Sequence, residues 1–319
     1  MNHKVDEKLK VGIALGSGSA RGWAHIGVLQ ALKELGIEPD IVAGCSIGAF
    51  VGAAYASDQL DVLEEWSKTL TWKEIIGFFD LSLSKGGLIQ GEKLFNFIRE
   101  KSGDPDINSI SKKFGAVATE LDTGREIWIK DGLLFDSVRA SVALPGLIAP
   151  SKYKNKWLID GGLINPVPVS LCRAMGADVV IAVNLNGDLM KKTAKTVELN
   201  AIATELNKSD EPSFFERLST PLKLEIDKQK NILIAKLFAQ NDKTPSIFDV
   251  MASSINIMQD RITRSRMAGD VPEIILSPKL SQLGLMEFDK AEIAIEEGRA
   301  SVGRAKAAIK EMLIENYSF

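Results

Sequence analysis

Residues Val42 to Phe50 read VAGCSIGAF, and Gly44-Cys45-Ser46-Ile47-Gly48 sets a serine between two glycines at the spacing of a nucleophile elbow. A serine hydroxyl attacks acyl carbonyls when a neighbouring base takes its proton, and the usual base is histidine. The chain contains only His3 and His25, and neither follows Ser46. That excludes the Ser-acid-His order of the hydrolase fold. His25 sits in an apolar helical pattern between Ala24 and Ile26, where a packed histidine is expected rather than a catalytic one. The five residues also fit a plain strand-to-helix turn with Ser46 as N-cap. Cys45 is an alternative nucleophile by type, but the middle position of an elbow is the one displayed, and Ser46 holds it.

A carboxylate is the remaining candidate base, and Asp160 is the best placed. It closes the apolar run KWLID and is followed by Gly161-Gly162, which turn the chain and leave the carboxylate at a strand end. Groups at the carboxyl ends of strands in an open α/β sheet share a crevice, so Ser46 and Asp160 are expected to meet there. Asp-Gly-Gly is also an ordinary turn. A third element is GSGSARG, Gly16 to Gly22. A glycine-rich loop entering a helix can aim backbone N–H groups at an oxyanion, or hold a phosphate. Its Gly-x-Gly-x-x-x-Gly spacing satisfies neither the Rossmann nor the Walker pattern, and only Glu38 or Asp40 stands where a ribose-binding acid belongs.

The elements needed to position these groups are legible as apolar periodicity. Val11 to Leu15 is a short strand before the glycine loop, and Gly22 to Leu35 carries helical spacing that stops at Gly36. A strand over Ile41 to Ala43, a tight turn over Gly44 to Ser46 and a helix of small residues repeat the pattern. Helices are expected over Gln59 to Leu70, Glu92 to Lys101 and Leu134 to Ser141, with a hairpin about Asp122-Thr123-Gly124. After KWLID come a helix leading to Gly176, a strand over Val179 to Val183, a helix over Ile247 to Met267, the strand EIIL and a helix over Asp289 to Leu313. Alternating strands and helices predict a largely parallel α/β sheet. The expected organisation is an N-terminal extension (1–10), a core (11–186), a helical insertion, lid or flexible connector (187–246), and C-terminal helices with a strand (247–319).

Composition narrows the function classes. The chain has 319 residues, 45% hydrophobic and 25% charged, with 39 basic against 42 acidic side chains and a net charge of −3. No basic excess exists to neutralise nucleic-acid phosphates. Two cysteines, Cys45 and Cys172, are too few for a disulfide framework, and no Cys/His spacing suggests a metal site. MNHKVDEKLK has no apolar h-region, and no run of about 18 apolar residues suggests a membrane span. The expectation is a cytoplasmic protein without cofactor or metal, with peripheral contact to the inner face of the membrane left open.

Taken in order, GSGSARG, GCSIG and DGG, with RASVALPGLIAP between the last two, resemble the patatin-like phospholipase family. LGSGSARGWAHIGVL, IVAGCSIGA, DGGLINPVPVSL and RSRMAGDVPEI are most similar to its bacterial RssA-type branch, related to the neuropathy target esterase domain. The resemblance implies a three-layer α/β/α sandwich with a mostly parallel sheet. It also implies a lipid acyl hydrolase without histidine, using Ser46 as nucleophile, Asp160 as general base, and an oxyanion hole from Gly16, Gly18, Ser19, Ala20 and Arg21. Where many members have four consecutive glycines this loop has Ser17 and Ser19, whose side chains restrict the backbone; the donors favoured within it are Gly18, Ser19 and Ala20. Gly44, Gly48, Gly161 and Gly162 support the motifs. A lipid or acyl ester is then the implied substrate; the competing reading is a low-activity or non-enzymatic regulatory module that binds an acyl ligand or a protein partner.

Overall fold

A computed structural model describes residues 9–71, 74–75, 87–89, 91–188 and 247–316. The proposed insertion, apart from its first two residues, and most of the N-terminal extension lie outside these. The chain divides into two compact units, 1–188 with 259–319, and 189–258.

The first unit is built on an eight-stranded sheet. Its strands are β1 (Val11–Leu15), β2 (Ile41–Cys45), β4 (Lys113–Glu120), β5 (Glu126–Ile129), β7 (Ser151–Tyr153), β8 (Lys156–Asp160), β9 (Val179–Val183) and β10 (Ile274–Leu276). The order is β10-β9-β1-β2-β4-β8-β7, with β5 also on β4. Strands β10, β9, β1, β2 and β4 are mutually parallel. β3 (Gly87–Ile89) and β6 (Gly146–Ile148) form a separate parallel pair.

Side-chain alternation divides the sheet into two apolar faces. Ile13, Leu15 and Val42 join the larger core, with residues of α1 (Ala24–Glu34), α2 (Ile47–Ala56), α3 (Leu60–Thr69), α4 (Glu92–Ser102), α5 (Leu134–Ser141) and α8 (Ala291–Asn316). Ala14, Ala43, Val117 and Ala182 face the other way, onto the short α6 (Val169–Ala174). Layers of helix on each face of a mostly parallel sheet are the expected α/β/α sandwich. In the larger layer α1 and α8 cross closely: a Cβ on Gly27 would collide with the Ile295 carbonyl, and one on Gly298 with that of Ala24. Among the described residues no helix is long and apolar enough to cross a membrane.

Two local expectations are corrected. The strand expected over Ile41 to Ala43 runs on through Cys45, because Gly44 and Cys45 still pair with Ala116 and Val117 of β4. The turn is therefore concentrated at Ser46. The glycine loop also enters α1 through a 3₁₀ turn, Ser19–Trp23, rather than directly.

A third correction concerns β8, which is antiparallel to β4, pairing Asp160 with Ala118 and Leu158 with Glu120. Its carboxyl end is not one of the parallel row. Val117 is flanked by Cys45 and Trp128, and Ala118 by Ile127 and Asp160. β2 and β8 thus lie on the same edge of β4 and run toward each other, and their carboxyl ends meet head to head.

Candidate active site

Where those two strand ends meet, the Ser46 Oγ donates a hydrogen bond to Asp160 Oδ2 at 2.6 Å. Ser46 has φ 55° and ψ −124°. This is a sparsely allowed conformation for a residue with a side chain, costing on the order of 1–3 kcal/mol. The flanking glycines permit it. A Cβ on Gly44 would collide with the backbone of Ala49, and one on Gly48 with the carbonyls of Leu15 and Gly16. Ser46 does precede α2, and its carbonyl accepts from Ala49 and Phe50, but its hydroxyl does not cap the helix. The hydroxyl turns to Asp160 instead, with the positive end of the α2 dipole behind it.

Asp160 is 1% exposed. Its Oδ1 accepts the Gly162 N–H at 2.7 Å, its own N–H donates to Ala143 O at 2.9 Å, and its carbonyl accepts from Thr119 Oγ1 at 2.9 Å. The Asp-Gly-Gly turn is thus a capped turn as well as the seat of a carboxylate. Burial raises the carboxyl pKa to about 6, against the lowering effect of the hydrogen bonds from Ser46 and Gly162. A Cβ on Gly161 would collide with the backbone carbonyl of Val117, so that glycine is sterically required; one on Gly162 would press on the Gln259 amide and the Asp160 carboxylate.

The glycine loop passes beside the elbow, Gly22 lying so close to Ile47 that any Cβ there would clash. Several of its amides already have acceptors: Gly16 N–H donates to Val183 O, Ser17 to Pro166 O, Ala20 to Leu285 O and Arg21 to Gly18 O. Gly18 and Ser19 have no such backbone acceptor among the described residues, and Ser19 holds a positive φ of 52°. Arg21 is buried, its Nε donating to Gly18 O at 3.3 Å, and burial lowers its pKa to about 10. It remains a cation at neutral pH, held against the loop.

His25 is fully buried, with Nε2 2.8 Å from Gly16 O. Burial depresses its pKa to about 4, so the ring is neutral and Nε2 carries the proton donated to that carbonyl. It braces the loop and stands apart from Ser46 and Asp160 in the hydrogen-bond network. Cys45 is also fully buried, and desolvation, then the charges of Asp160 and Glu126, push its thiol pKa well up. A thiol that resists ionisation is a poor nucleophile.

Two polar residues escaped sequence reasoning. Gln259 Oε1 accepts from Ser17 Oγ and from Asn186 Nδ2, both at 3.0 Å, tying the glycine loop to the end of β9 from α7 (Ile247–Met267). Ser141, at the end of α5, touches the elbow itself, and the block RASVALPG was the only hint of it.

This head-to-head pairing of a strained serine with a buried aspartate, beside a glycine loop, stands on the type of fold that family comparison independently returns. The family model for patatin-like phospholipases matches residues 13–173, and the chain belongs to that family. An uncharacterized NTE family protein of Mycobacterium tuberculosis is 32% identical, the alignment covering 94% of this chain and 92% of that one. Lysophospholipase nte1 of Aspergillus fumigatus is 36% identical over 57% of this chain and 12% of its own length. Patatin-like phospholipase domain-containing protein 6 of Mus musculus is 35% identical over 55% of this chain and 13% of its own.

Proposed function

We propose that the protein is a serine esterase that hydrolyses lipid acyl esters through a Ser46–Asp160 dyad. The observation that carries the reading is the 2.6 Å hydrogen bond from a strained, elbow-borne Ser46 hydroxyl to a buried carboxylate. Family membership supports hydrolase chemistry, and the lysophospholipase relative supports lipid esters as the class of substrate. Uptake of the ester from a membrane surface is part of the same proposal.

Asp160 accepts the Ser46 proton as Oγ attacks the acyl carbonyl, and the Gly18 and Ser19 amides receive the oxyanion. Collapse expels the alcohol, which takes its proton from Asp160 and leaves an acyl-serine. Water, deprotonated by Asp160, then attacks that ester, and collapse releases the acid as Asp160 returns the proton to Ser46 Oγ. A pKa of about 6 matters here: the carboxylate is mostly ionised at neutral pH, yet more basic than an ordinary aspartate near 3.9. It is still a weaker base than histidine, so oxyanion stabilisation carries more of the barrier.

Purified protein assayed on p-nitrophenyl esters and lysophospholipids, beside Ser46→Ala and Asp160→Asn, tests this. Both substitutions are expected to cost at least about 10³-fold in kcat. Unchanged turnover in either variant contradicts the dyad, and a chain inert on every ester would favour a binding module instead.

A further inference from the structure

Among the described residues no backbone hydrogen bond joins β2 to β8; each pairs with β4. The sheet therefore fixes the direction of the two strands but not the gap across which Ser46 faces Asp160. That gap is bridged from outside the sheet, by the three residues 141–143. The Ser141 hydroxyl, wholly buried, accepts the Ser46 N–H at 2.8 Å and donates to Val117 O at 2.6 Å. Two residues later, Ala143 O accepts the Asp160 N–H at 2.9 Å. One short segment holds the backbone of both partners and of β4, the strand with which both pair.

We propose that Ser141 is a positioning residue for acyl transfer, its hydroxyl fixing the elbow amide and with it the distance from Ser46 Oγ to Asp160. The proposal rests on the reading of Ser46 and Asp160 as the reacting pair. A backbone in a sparsely populated conformation persists only where its surroundings over-determine it, and Ser141 supplies the side-chain bond to that amide. The hydroxyl is suited to this because it donates and accepts at once, linking an N–H on the elbow to a carbonyl on β4. Without it the Ser46 N–H loses its partner and the elbow is free to relax.

The same helix provides a matched control. Ser137 is equally buried, but its hydroxyl donates to Leu134 O of its own helix and touches neither partner. Full-length Ser141→Ala, Ser137→Ala and Ser46→Ala are compared by kcat and KM on p-nitrophenyl butyrate, with melting temperature measured in parallel. Ser141→Ala is expected to lower kcat about 10- to 100-fold with KM little changed, as misplacement of a reacting group does. Ser137→Ala is expected to leave both constants near wild type. Equal kcat in the Ser141 and Ser137 variants overturns the positioning role. Ser46→Ala with full activity instead overturns the dyad reading on which it rests. Should Ser141→Ala fail to fold, Ser141→Cys, which keeps the group's place with a poorer acceptor, is read by the same criterion.

Discussion

Asp160 and His25 are both buried and both titrate away from their ordinary values, in opposite directions. Asp160 has its pKa raised to about 6, so its contribution to stability is full below the unfolded value near 3.9 and is lost as pH rises through about 6. His25 has its pKa lowered to about 4, so its contribution is present above the unfolded value near 6.5 and is lost as pH falls through about 4. The two effects oppose each other over the same window. Replacing Asp160 by Asn removes one of them. The variant is therefore expected to melt higher than wild type at pH 7.5, and its melting temperature is expected to rise more steeply between pH 4 and 6.5; a pH series of thermal melts checks both. On the proposed mechanism Asp160 acts as the ionised carboxylate, so kcat should fall on the acid side with an apparent pKa of about 6. The sequence alone exposed Ser46, Asp160 and the glycine loop, because each is a fixed local pattern. Gln259 was illegible and Ser141 only hinted at by its block, since one amide or one hydroxyl in a helix carries no pattern until the fold brings it to the glycine loop or the elbow.

At the scale of elements, the apolar periodicity read correctly because burial imposes it on strands and helices locally. Strand direction is a property of pairing and has no such local signature. The KWLID run was legible as a strand, but not as one entering β4 from the opposite end. The Ser46–Asp160 meeting was thus anticipated for a reason that holds only for parallel strands, and the structure achieves it by opposing them. The crossing of α1 and α8 was equally hidden: a glycine inside a helix costs about 1 kcal/mol relative to alanine and reads as a weakness. Here Gly27 and Gly298 let the two backbones touch. Gly298→Ala should therefore destabilise the fold by about 1–3 kcal/mol, measured by denaturant unfolding, with kcat of the folded fraction unchanged. Gly48→Ala, which pushes on the carbonyls of Leu15 and Gly16, should lower both stability and kcat.

For the whole molecule, similarity to the mycobacterial relative runs over nearly the full chain, while the fungal and mouse proteins match just over half of it. Every group in the proposed chemistry belongs to the unit formed by 1–188 and 259–319. The chain leaves that unit just after Asn186 and re-enters it at Gln259, and those two side chains are hydrogen-bonded. Replacing 189–258 by a short glycine-serine linker is therefore expected to retain turnover of p-nitrophenyl butyrate to within about tenfold, since the exit and re-entry points are close. A complete loss in a folded variant would show that residues of 189–258 take part in the reaction.

The central claim is that Ser46 is a nucleophile made reactive by Asp160, and trapping it is the most direct test. A fluorophosphonate incubated with the full chain, followed by mass mapping of the adduct, should modify the Ser46 peptide alone. Labelling should vanish in Ser46→Ala and slow sharply in Asp160→Asn. An adduct elsewhere, or undiminished labelling of Ser46→Ala, would contradict the account.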